Sequence, residues 1–97
     1  MFGKKPLEMA KALGPGEVCD ALRLALIAEI DAVTLYTQLA RRIADPLVKK
    51  VFLAVADEEK EHMGEFLSLL KKCDPGLVEM MKRGEEEVEE ISEKGKA

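Results

Sequence analysis

The residues with the most chemical potential in this 97-residue sequence are Glu29, Glu59 and His62. Glu59-Lys60-Glu61-His62 is a Glu-x-x-His pattern. On a helix, positions i and i+3 share a face, so a carboxylate oxygen and an imidazole nitrogen can bind one cation together. His62 is the only histidine, which excludes a His-rich metal site within one chain. Tyr36 lies two helical turns beyond Glu29 and adds a phenol on the same face. Asp31 points away from that face and is a candidate for attracting incoming metal at a subunit boundary.

Other catalytic kits are excluded by inventory. Cys19 and Cys73 lie more than half the chain apart, so there is neither a CxxC redox pair nor zinc-finger spacing. Free cysteines are among the most buried residue types, and packing is the expectation for this pair, with an intracellular disulfide as the alternative in a heat-adapted source. The absence of Asn, with Gln38 the only Gln, fits such a source. Ser68 and Ser92 are the only serines and leave little for a Ser-His-Asp triad. Neither GxGxxG nor GxxxxGK[ST] occurs.

The elements that must position these residues follow from punctuation. A short helix is expected over residues 6–13, ending at the breaker cluster Gly14-Pro15-Gly16. Residues 17–42 contain no Gly or Pro and are rich in Ala and Leu. Asp45-Pro46 marks a new start, with Asp45 as N-cap and Pro46 at the first helical position. A second helix follows over residues 46–72 and ends in Lys71-Lys72 before Asp74-Pro75-Gly76. A third and shorter helix is expected over residues 77–91. The division is thus an N-terminal segment over 1–16, a hairpin with a C-terminal helix over 17–92, and a frayed tail over 93–97.

A loop of two or three residues forces the two long helices antiparallel. A two-helix hairpin cannot cover both of its own apolar stripes, which calls for self-association, most simply as two hairpins in a four-helix bundle. The alternative is a three-helix monomer in which the last helix covers the stripe, although that helix is poor in apolar residues. On a helical wheel the first stripe is Leu22, Ala25, Leu26, Ala32, Val33, Tyr36, Ala40 and Ile43, with Glu29 at its centre. The second is Val48, Val51, Phe52, Val55, Met63, Phe66, Leu69 and Leu70, with Glu59 and His62 inside it.

An unpaired carboxylate removed from water costs several kcal/mol, comparable with the whole stability of about 5–10 kcal/mol for a small domain. The stripes offer no Lys or Arg beside Glu29 or Glu59. Three offsets are open: a buried ion pair, hydrogen bonding among protonated acids and imidazole, or a bound cation. Spacing favours the cation. Di-iron and di-manganese bundles use two helices that each carry a Glu and two that each carry a Glu-x-x-His. One chain provides half of that set and a two-fold dimer provides all of it, so core and ligand count call for the same partner.

Composition narrows the rest. The chain is 47% hydrophobic but only 4% aromatic, which suits packed helices better than a β-sandwich. A net charge of −4 argues against general nucleic-acid binding. No apolar run approaches the 18 or so residues of a membrane span. No basic-then-apolar leader opens the chain, so a cytoplasmic location is expected. Met63, Met80 and Met81 read as core or interface filler, and the run Glu85, Glu86, Glu87, Glu89, Glu90 reads as a solvated helix face.

Residues 22–70, LRLALIAEIDAVTLYTQLARRIADPLVKKVFLAVADEEKEHMGEFLSLL, resemble the short encapsulated ferritins of the rubrerythrin-like branch of the ferritin superfamily. The resemblance rests on Glu29, on Tyr36 seven positions later, and on Glu59 with His62. It implies an all-α fold: an antiparallel hairpin plus a short C-terminal helix, dimerising into a ferritin-like four-helix bundle and assembling into rings. It implies an Fe(II) oxidase whose di-iron site forms between subunits, packaged as cargo in an encapsulin shell. Glu29, Glu59 and His62 would be iron ligands, with Glu59 bridging and Tyr36 close by. Hard carboxylates plus imidazole also admit zinc, manganese or calcium. Two departures stand out: Ala28 occupies a position where the family has a carboxylate, leaving Asp31, and no shell-targeting peptide is recognisable after Ile91. The alternative is a metal-stapled structural or cargo module without turnover.

Overall fold

The computed structural model describes residues 11–96 and contains three helices: α1 (Pro15–Arg42), α2 (Pro46–Cys73) and α3 (Leu77–Lys96). Among the described residues there is no strand. Of the short helix expected over 6–13, residues 6–10 lie outside the described part, and Lys11, Ala12 and Leu13 are not helical.

Each helix end has a local cause. The Gly14-Pro15-Gly16 cluster starts α1 instead of only preceding it. Gly14 is the N-cap and Pro15 takes the first turn, where its missing N–H costs nothing. The Glu17 carboxylate accepts the Gly14 N–H at 3.1 Å. Arg41 and Arg42 close α1 against the negative end of its dipole. Asp45 then caps α2, its Oδ1 accepting from Leu47 N–H at 2.9 Å and Val48 N–H at 3.1 Å. Lys71 and Lys72 close α2, and the Asp74 N–H returns to the Leu70 carbonyl at 2.9 Å.

Both long helices have 28 residues, about 42 Å each, and they pack against one another along the hairpin. Every member of the predicted α1 stripe is buried or half-buried. On α2 the agreement is partial: Phe52, Val55, Met63, Phe66 and Leu70 are covered, while Val48, Val51 and Leu69 are exposed. One neighbouring helix shields only an arc of α2, and these three lie towards or beyond its edge. Among the described residues the buried core is Cys19, Ala40, Ala56 and Leu70. Ala40 and Ala56 are each 1% exposed, small side chains shut off from solvent. Ala56→Leu is expected to lower stability by about 1–3 kcal/mol through overpacking, read as a fall in the urea midpoint with unchanged slope.

α3 runs to Lys96, five residues past the expected end, because Glu93 and Lys94 are strong helix formers. It does not lie along the hairpin and has no extended interface with it, so the three-helix monomer does not form. The radius of gyration is 18.1 Å, against about 12 Å for a compact chain of this length. Large apolar side chains stay open to solvent on all three helices, among them Ile27 at 55%, Leu35 at 50%, Val51 at 51% and Val88 at 67%.

The two cysteines are a correction to the packing expectation. Cys19, in the second turn of α1, and Cys73, the last residue of α2, form a disulfide with Cα atoms 5.9 Å apart. Antiparallel pairing brings the start of α1 to the end of α2, a long-range fact that sequence separation conceals. Arg23 reinforces the same end, donating to Asp20 at 2.9 Å and to Asp74 at 3.0 Å.

Candidate metal centre

Glu29 comes from the middle of α1, and Glu59 and His62 from the middle of α2. Stripe placement turns both glutamates towards the facing helix, leaving their side chains 18% and 20% exposed. His62 differs from expectation: its side chain is 46% exposed and stands at the rim. The cause is angular, since i+3 sits about 60° round the helix from Glu59, on the side that α1 leaves open.

The three converge. His62 Nδ1 stands 3.4 Å from Glu29 Oε2 and 3.5 Å from Glu59 Oε2. One ligand atom from each residue fits within a set whose members are all within 4.8 Å of one another. Ligands at about 2.0–2.2 Å from a cation lie up to about 4.4 Å apart, so little movement separates this arrangement from coordination. Glu29 Oε2 is buried and lacks a hydrogen-bond partner; the nearby His62 nitrogen does not have hydrogen-bond geometry towards it. A buried carboxylate oxygen without a donor is costly, and a cation is the group that this donor set would satisfy. Two hard carboxylates with one imidazole suit a divalent first-row metal.

Tyr36 does not join the cluster. It is half-buried two turns along α1 and packs edge-on against Phe52, with ring centroids 6.0 Å apart and planes at 82°. Asp31 is exposed and also lies outside the cluster. One residue was missed from sequence: Glu65 lines a shallow groove with Glu29, His62, Phe66 and Leu69. The available signal was a continuation of the spacing, Glu59, His62, Glu65, which advances around the helix by the same 60° at each step.

A helical hairpin that gathers two glutamates and a histidine between its long helices has the architecture of a ferritin-like protein. The chain belongs to the rubrerythrin family, whose model matches residues 20–96. It is 51% identical over 76 residues, 78% of its length, to a ferritin-like-encapsulin shell fusion protein of Pyrococcus furiosus. It is 36% identical over 55 residues, 57% of its length, to the encapsulin nanocompartment cargo protein EncB of Myxococcus xanthus. These matches span 22% and 35% of those relatives, so the chain corresponds to only part of each. The crystal structure of the encapsulated ferritin domain from Pyrococcus furiosus matches with a TM-score of 0.82 at 49% identity, over 84% of this chain and 83% of that one.

Proposed function

We propose that the protein is a ferroxidase that takes Fe(II) as substrate at a site completed by a second copy of the chain. The observation that carries this reading is the half-site itself: two inward glutamates and one imidazole, with Glu29 Oε2 lacking a donor. Paired across a two-fold axis, two chains supply four glutamates and two histidines, the ligand set of carboxylate di-iron bundles. Their four carboxylate charges balance two ferrous ions. The same pairing would cover apolar side chains that the hairpin leaves in water.

Within such a site Glu29 and Glu59 would hold the two ions, and His62 would contribute a ring nitrogen from the rim. The surrounding stripe, with Phe66 beside the cluster, limits water access. Ferrous ions are the electron source for dioxygen, and because one bound pair supplies two electrons, full reduction draws on two pairs: four Fe(II), one O2 and four protons give four Fe(III) and two waters. Tyr36 stands within two turns of the site as a neighbouring phenol, and Asp31 is an exposed carboxylate on the same helix that attracts cations. Zinc, manganese or calcium would occupy the same donors without this turnover. A small bundle has no room for a mineral core, so the ferric product passes to another container. The relatives' names support an encapsulin shell for that role and a nanocompartment as the location; a cytoplasmic setting and a ring-like homo-oligomer of dimers complete the proposal.

Anaerobic Fe(II) loading followed by air is expected to give a ferric absorbance rise well above that of buffer. Solution mass measured alongside should move from one chain to two, or to a multiple of two, when Fe(II) is present. Metal that changes the mass while oxidation stays at the buffer rate would instead establish a metal-stapled module and overturn the ferroxidase reading.

A further inference from the structure

We infer that α3 of one copy of the chain docks on the loop end of another copy's hairpin, through charges and apolar side chains that neither surface matches within its own chain. The inference goes beyond the metal reading and does not depend on it. The loop end is basic. Between Asp31 and Asp57 the only acidic residue is Asp45, whose Oδ1 caps α2, against Arg41, Arg42, Lys49 and Lys50. All four are exposed, and among the described residues none makes an ion pair. Arg41 and Arg42 suit the negative end of the α1 dipole, but Lys49 and Lys50 stand near the positive end of α2, which has no acid in its first turn. A partner bearing carboxylates would offset that unfavourable placement. Apolar side chains lie among these charges: Leu39 lines a groove with Arg41 and Arg42 and is 40% exposed, and Leu47 is 71% exposed.

α3 carries the converse. Between Arg83 and Lys94 every charged residue is a glutamate. Among the described residues none of Glu85, Glu86, Glu87, Glu89 and Glu90 is in an ion pair. Val88 and Ile91, 67% and 70% exposed, share one face, with Glu85 and Glu87 one turn before them. The two surfaces cannot meet within one chain. α3 starts beyond Cys73, at the end of the hairpin opposite the loop, after about 42 Å of α2, and spans only about 30 Å while leaving the hairpin. The occupant is therefore a second copy, and the contact joins different surfaces of two chains. Contacts of this kind repeat from chain to chain and close into a ring when the rotation allows, so this one would link the two-fold pairs.

Charge exchange in the full chain tests this, with mass in solution read by sedimentation in the presence of Co(II). Wild type should exceed two chains. Lys49→Glu combined with Lys50→Glu should hold the mass at two chains or one. Helix content by circular dichroism should stay unchanged there, since acids near the start of α2 suit its dipole. Glu86→Lys, Glu89→Lys and Glu90→Lys together should limit the mass in the same way from the other surface. Mixing the two variants should restore a mass above two chains, because each loop end then meets an α3 of opposite charge. A wild type that stops at two chains, variants of wild-type mass, or a mixture that stays small overturns the inference. Failure of the metal reading is separable: Co(II) binding would then be insensitive to Glu59→Ala and His62→Ala, while the mass difference between wild type and the charge variants would persist.

Discussion

Glu29→Ala and Glu59→Ala should each slow Fe(II) oxidation by about 100-fold or more, since losing a direct ligand exceeds the 10–100-fold cost of losing an outer partner. In a two-fold dimer each substitution removes two ligands at once. His62→Ala should follow, with a smaller effect because the ring stands at the rim, 46% exposed. Stability is expected to move the opposite way for Glu29. Its Oε2 is buried without a hydrogen-bond partner in the metal-free chain, so Glu29→Gln, with two donors of its own, should hold or raise the unfolding temperature in chelator. Activity lost while metal-free stability is kept is the signature of a residue selected for its ligand. Tyr36→Phe provides a contrast. Its ring packs on Phe52, so the fold should persist, and oxidation should change only a few-fold if the phenol merely neighbours the site. Stopped-flow absorbance and thermal unfolding of the same samples measure both quantities. Oxidation at the wild-type rate in Glu29→Ala and Glu59→Ala would remove this cluster from the reaction.

What could be read in advance divides along a physical line. The helix boundaries at Asp45-Pro46 and Lys71-Lys72 were legible because caps and dipole charges act within one turn. The triad was legible because a charge inside an apolar stripe is anomalous on a wheel, and Glu29 with Glu59 does turn inward. What escaped depends on how much of each face a neighbour covers. His62, Val51 and Leu69 share a stripe with buried residues, but only α1 is present to shield them, and their side of α2 stays open. Glu65 escaped for the same reason: it reads as a solvated charge until the groove shows what stands beside it. The direction of α3 also escaped, since amphipathicity signals that a helix has an apolar face without saying against what. The three-helix monomer was excluded only by seeing α3 leave the hairpin.

Reducing the Cys19–Cys73 bond is expected to cost about 4 kcal/mol, the loop-closure entropy of a crosslink spanning some 55 residues. For a domain of this size that is a fall of roughly 15–30 °C in unfolding temperature. The effect is large because little else secures the hairpin. Among the described residues only Cys19, Ala40, Ala56 and Leu70 are buried, and two of those are alanines. Arg23 braces the same end through Asp20 and Asp74, but its side chain is 44% exposed, and ion pairs in that setting contribute about 1 kcal/mol or less. The bond joins the ends of α1 and α2 farthest from the loop at Asp45, so both ends of the hairpin are closed and the metal residues lie between them. Association with a second copy stabilises as well, but by mass action, so its contribution grows with protein concentration whereas that of an intrachain crosslink does not. Thermal unfolding with and without reductant, at two concentrations a hundredfold apart, separates the two. The reductant-dependent shift should be the same at both concentrations, and Cys19→Ala with Cys73→Ala should reproduce it without reductant. An unfolding temperature that does not move, with both thiols shown free by alkylation, would mean that the partner interface alone holds the hairpin closed.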